Sequence, residues 1–90
     1  MEISILKADY KSDYKIHITF SDDVEHTIDF APFLVNSLNP MTRKYLDKKE
    51  FINFNIEYGD LIWNDYEMCF PIWDLYNGKI THYKNVPIEK

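Results

Sequence analysis

At 90 residues, with 46% hydrophobic and 17% aromatic side chains, the chain has the size and composition of one small globular domain, which excludes a disordered or fibrous segment. Its 15 Asp and Glu against 10 Lys and Arg leave a formal charge of −5, which works against direct binding to DNA or RNA and suits a basic protein partner. A single cysteine excludes an internal disulfide, and no apolar run approaches the ~20 residues of a membrane span.

In chain order, the opening MEISILKADY lacks the basic and apolar blocks of a signal peptide, so a cytoplasmic location is expected. Within it, EISILKA reads as a strand beside the hairpin that follows, although its alternation is poor. Residues 14–20 alternate strictly, with Tyr14, Ile16, Ile18 and Phe20 on one face and Lys15, His17 and Thr19 on the other. Residues 24–30 repeat the pattern, with Val24, His26, Ile28 and Phe30 opposed to Glu25, Thr27 and Asp29. A three-residue loop of Ser21, Asp22 and Asp23 pairs Phe20 with Val24 and keeps both apolar rows together, setting Ile16 opposite Ile28 and Lys15 opposite Asp29.

From Ala31 the pattern turns helical. APFLVN makes one turn with Pro32 in its first turn, and Asn39 caps a turn begun by Pro40. Asp47 with Glu50 three residues on is a capping-box pair, opening a short helix that carries Phe51 and Ile52 inward. Arg43, Lys44, Lys48 and Lys49 beside Asp47 and Glu50 read as a solvated face.

Residues 54–58 alternate again, and Gly59 with Asp60 is the expected two-residue turn of a second hairpin, setting Tyr58 opposite Leu61 and Ile56 opposite Trp63. A short strand EMCF follows, with Met68 and Phe70 on one side and Cys69 expected to be buried as a small hydrophobe. Pro71 opens a last turn, PIWDLYN, ended by Gly78. The fold class is therefore α+β: a single domain over residues 1–80, a mostly antiparallel sheet from two hairpins plus short helices, with a polar C-terminal tail at 81–90.

Residues 58–78 hold Tyr58, Trp63, Tyr66, Phe70, Trp73 and Tyr76. Such a chain buries only ~60 to 65% of its unfolded surface, so large rings are an efficient way to enlarge its core. Periodicity turns Trp63, Phe70 and Leu75 inward. Trp73 falls about 100° off the stripe of Ile72, Leu75 and Tyr76, a position that either covers the edge of the core or protrudes; Tyr66, Trp73 and Tyr76 are the candidate contacts for a protein partner.

The order of these motifs resembles the small bacterial family known as domain of unknown function 2442, over roughly residues 2–80. The resemblance rests on Ser21-Asp22-Asp23, Asp29-Phe30-Ala31-Pro32, Phe51, Gly59, Leu61-Ile62-Trp63 and the run from Met68 to Tyr76. Asp23 stands where the family often has Gly, and no Gly follows Trp63; both departures touch turns. The resemblance implies a small α+β domain and no established activity. In the family that the chain resembles, some members are fused to a helix-turn-helix and many are encoded beside another small uncharacterised domain, an arrangement like that of toxin and antitoxin pairs. No length is left here for a fused DNA-binding domain.

Catalytic chemistry is poorly served. His17 and His26 fall on opposite faces of the first hairpin and so cannot share a metal; His17 is expected exposed on the sheet, His26 over a core edge and His82 in the tail. Asp60, Asp65, Glu67 and Asp74 lie near the aromatic stretch, with turn and capping roles sufficient for Asp60 and Asp65. Two glycines, Gly59 and Gly78, cannot form a phosphate loop. The expectation is therefore no enzyme, no cofactor and no metal. The chain reads as a protein-interaction or regulatory accessory of antitoxin-like kind, able to form a homodimer by extending an edge strand; the alternative is a small-ligand sensor with an aromatic pocket between sheet and helices.

Overall fold

The computed structural model describes residues 3–64 and 66–78. β1 (Ile5–Ser12), β2 (Lys15–Phe20) and β3 (Glu25–Asp29) form one antiparallel sheet in that order. The β2–β3 register is the expected one, with Ile16 opposite Ile28 and Lys15 opposite Asp29. The Phe20 N–H donates to the Val24 carbonyl at 2.8 Å, closing the three-residue loop. Asp23 takes φ 73° there, a conformation that Asp tolerates better than most side chains.

β1 begins and ends later than the sequence suggested, running to Ser12 and joining β2 through Asp13 and Tyr14. Its register slips between Ile5 and Lys7 and again between Tyr10 and Ser12. Each bulge exchanges the two faces of the strand, so a period of two cannot persist along it.

The chain then makes α1 (Ala31–Asn36), α2 (Pro40–Arg43), a 3-10 turn (Lys44–Leu46) and α3 (Lys48–Phe51). The side chains of Asn39 and Asp47 cap as expected, accepting from the Met41 and Lys49 N–H groups at 2.9 and 3.0 Å. Phe51 is buried, but Ile52 is 49% exposed, contrary to expectation. α3 stops at Phe51, and the next side chain is rotated by about 100° away from the core.

β4 (Phe54–Glu57), β5 (Asp60–Trp63) and β6 (Met68–Cys69) form a second antiparallel sheet. Its hairpin corrects the sequence reading. The turn residues are Tyr58 and Gly59, at φ 52° and 82°, and the pairs are Phe54 with Trp63, Ile56 with Leu61 and Glu57 with Asp60. A two-residue hairpin that follows the strands' right-handed twist needs positive φ at both central positions, and Gly59 fills the second. The two-residue shift keeps Phe54, Ile56, Leu61 and Trp63 on one face but moves Tyr58 into the turn, where it is 94% exposed. A Cβ on Gly59 would lie 2.6 Å from the Ser4 Cβ, and this close approach lets the Ile5 N–H donate to the Gly59 carbonyl at 2.8 Å, tying the two sheets together. Cys69 is exposed rather than buried, because alternation along β6 turns Met68 and Phe70 inward and the residue between them outward.

One core joins both sheets. Ile16, Ile18, Phe20, Ile28 and Phe30 meet Leu61, Trp63, Met68 and Phe70, with Leu34, Tyr45, Phe51 and Leu75 closing the sides. Trp63 is fully buried at the centre, ringed by Phe30, Phe51 and Phe70 at centroid distances of 5.6, 5.7 and 6.0 Å. Its indole N–H donates to the Phe51 carbonyl at 2.7 Å, which pairs the one polar atom of the ring. Among the described residues, no helix is long and apolar enough to cross a membrane. The expected domain end at residue 80, the tail at 81–90, Asp65 and His82 lie outside the described residues.

Candidate functional site

α4 (Ile72–Asn77) follows Pro71 and ends at Gly78, whose φ of 68° is the expected left-handed stop. Leu75 is fully buried and Ile72 and Tyr76 pack against the core, so the predicted stripe faces inward. Trp73, one helical step away, is 48% exposed.

Tyr76 links α4 to the first hairpin. Its ring meets Phe20 and His26 edge-on at 5.1 and 6.2 Å, and its hydroxyl donates to Asp22 Oδ2 at 2.6 Å. Trp73 stands against the outer side of this arrangement, 5.2 Å from Tyr76 at an interplanar angle of 72°. His26 thus covers a core edge, as its place in the alternation indicated. The Tyr76 hydroxyl, helped by the Val24 N–H, holds the Asp22 carboxyl below its ordinary value; the same bond, with burial, raises the Tyr76 phenol. Asp22 therefore stays ionised at neutral pH. Asp22 and Asp23 are both exposed.

The structure brings Trp73 and Tyr76 together but places Tyr66 elsewhere. Tyr66 sits in the loop between β5 and β6 at φ 63° and is 45% exposed. Partial burial, then the charges of Glu57 and Asp60, raise its phenol. No described ring contact or hydrogen bond joins it to Trp73 or Tyr76.

Asp22 as the partner of Tyr76 is not legible in the sequence, because 54 residues separate them. Nor is a polar clamp around Glu67. The Tyr45 hydroxyl donates to Glu67 Oε1 at 2.5 Å, the Asn64 amide donates to the same oxygen at 2.7 Å, and Lys44 Nζ lies 2.8 Å from it. Lys44 first, then Tyr45 and Asn64, lower the Glu67 carboxyl to about 2, while burial and Glu67 push the Tyr45 phenol up. The basic cluster is a solvated face, as expected, with Arg43, Lys44, Lys48 and Lys49 all exposed, and three of the four also make polar contacts. Besides Lys44, Lys48 pairs with Asp13 at 3.2 Å, and the Arg43 guanidinium donates to the Val35 and Ser37 carbonyls at 3.0 and 3.1 Å.

His17 is half-buried rather than fully exposed. Its Nδ1 lies 2.8 Å from Thr27 Oγ1 and its Nε2 2.8 Å from Glu25 Oε1. His17 and Thr27 are cross-strand neighbours, so this line of groups ties β2 to β3 across the outer face of the sheet. Among the described residues, no group of three His, Cys, Asp or Glu side chains is placed to hold a metal ion.

A family model described as protein of unknown function (DUF2442) matches residues 5–81. No curated protein and no solved structure matches the chain.

Proposed function

The chain belongs to the DUF2442 family, and because the family's description fixes no activity, we propose from the molecular surface that it is a non-enzymatic protein-interaction or regulatory module. Its contact is the Trp73–Tyr76 corner. The observation that carries this reading is a half-exposed Trp held against a Tyr that is itself pinned by a buried ring on one side and a carboxylate on the other. A ring displayed in a fixed geometry loses little freedom when covered, and Trp and Tyr are the side chains on which interface energies concentrate. Packing of the Phe30, Phe51, Trp63 and Phe70 rings between sheets and helices favours this surface over a ligand pocket in the same place. An accessory of antitoxin-like kind, acting on one protein partner, is the form of the reading that the family resemblance favours. The exposed thiol of Cys69 suits the reducing cytoplasm.

The test is affinity capture from the native host with the wild-type chain and with Trp73→Ala, each first shown to be folded by its thermal transition. A protein retained by the wild type and lost from Trp73→Ala is the expected result. An identical set of retained proteins contradicts the proposal.

A further inference from the structure

The β2–β3 turn brings negative charge to the Trp73–Tyr76 corner. Asp22 is bonded to Tyr76 itself, and Asp23 follows it in the same turn. Among the described residues no ion pair engages either carboxylate, whereas Asp9, Asp13, Glu25 and Glu67 each have a cationic or imidazole partner. Asp22 is also oriented: Oδ1 accepts the Val24 N–H at 3.1 Å and Oδ2 the Tyr76 hydroxyl at 2.6 Å, and each oxygen retains a further acceptor site. Asp23 holds φ 73°, where glycine is the easier residue, so the turn carries its second charge despite the backbone preference. Tyr76 therefore carries an exposed indole against its ring and, on its hydroxyl, a carboxylate with no ion-pair partner among the described residues, on a molecule of net charge −5.

We infer that the partner meeting this corner is a basic protein segment, and that an arginine side chain is the group received. Its guanidinium stacks on the Trp73 ring while its planar fork of donors meets the Asp22 carboxylate. This rests on the interaction reading above and adds to it the chemistry of the partner. Arginine fits better than lysine on two counts. Its flat, weakly hydrated cation lies on an indole face, and two parallel N–H groups match two carboxylate oxygens, whereas an ammonium is a strongly hydrated point charge.

The test uses the intact chain and the assigned indole N–H resonances of Trp73 and Trp63 in 15N-edited NMR spectra, titrated with three probes. These are N-acetyl-arginine methylamide, its lysine counterpart, and the neutral isostere N-acetyl-citrulline methylamide. The arginine probe is expected to move the Trp73 resonance and leave that of buried Trp63 in place. The response is expected to weaken as NaCl rises from ~0.05 to ~0.5 M, where the screening length falls below the ~10 Å of moderate salt. Asp22→Asn, which keeps an acceptor for the Tyr76 hydroxyl, and Asp23→Asn are expected to reduce the arginine response severalfold while each chain still shows a cooperative thermal transition. A citrulline or lysine response equal to that of arginine overturns the inference. So does broadening of the Trp73 resonance with protein concentration alone, which would make the occupant a second copy of the chain. Partner capture that depends on Trp73 but not on Asp22, Asp23 or salt removes the arginine inference and leaves the interaction reading standing; capture indifferent to Trp73 removes both.

Discussion

Trp63 shows why a ring in the aromatic stretch is counted as filling. It is fully buried, its neighbours are rings on three sides, and its one polar atom is bonded to the Phe51 carbonyl. Trp63→Ala would open a cavity and leave that carbonyl unpaired in the core, so a loss of about 3 to 5 kcal/mol is expected in urea denaturation. Trp73→Ala removes a half-exposed ring and is expected to change stability by less than ~1 kcal/mol in the same experiment. Glu67 supplies a pH-dependent prediction. Its carboxyl is depressed in the folded chain from the ordinary 4.5 to about 2. The stability linked to it is therefore present above about 4.5 and is lost as pH falls through about 2. A carboxyl-carbon NMR titration is expected to find Glu67 well below the other glutamates, and Lys44→Met to raise it. An ordinary Glu67 titration would mean that the clamp with Lys44, Tyr45 and Asn64 does not form in solution.

At the scale of elements, the second hairpin is the informative one. Its turn places a tyrosine at φ 52°, a left-handed conformation that an L side chain enters at ~1 kcal/mol or more. Tyr58→Asn gives the Asn-Gly pair that such turns favour, and Tyr58 is 94% exposed, so a gain of up to ~1 kcal/mol, seen as a higher Tm, is expected. Gly59→Ala is expected to lose more than ~1 kcal/mol, since the new Cβ meets Ser4 at 2.6 Å and the backbone stays left-handed. If the turn were Gly59-Asp60 instead, Tyr58→Asn would remove a packed strand residue and destabilise. The first hairpin has no such ambiguity, because any odd shift of its register exposes Ile16, Ile18 and Phe20. That difference explains what was legible. A strict alternation with one buried face specifies β2 and β3 from sequence alone, and side-chain caps specify α2 and α3. The bulged β1 and a hairpin whose shift by two residues preserves its faces do not declare themselves in the same way.

For the whole molecule, the alternation and capping signals sufficed to read an α+β domain built on two antiparallel hairpins, though not that each hairpin belongs to its own three-stranded sheet, and the motif order sufficed to read the family. The inward placement of Trp63, Phe70 and Leu75 was also legible, because it follows from periods of two and 3.6 residues, whereas Trp73, one step off the stripe, had two open readings, core edge or protruding, between which its 48% exposure decides. The separation of Tyr66 from the corner, the bond from Tyr76 to Asp22 and the Glu67 clamp were not legible, because each depends on the tertiary approach of distant segments. Cys69 is exposed for a simpler reason: the local alternation that turns Met68 and Phe70 inward outweighs the general preference of cysteine for interiors. The central claim is that one indole builds the core while the other is displayed for a partner. Hydroxyl-radical footprinting of the folded chain, alone and in complex with the partner retained through Trp73, tests it most directly. The expected result is rapid oxidation of Trp73 and slow oxidation of Trp63 and Phe70 in the free chain, with Trp73 protected in the complex. Equal oxidation of both indoles in the free chain, or a Trp73 that stays reactive in the complex, would contradict it.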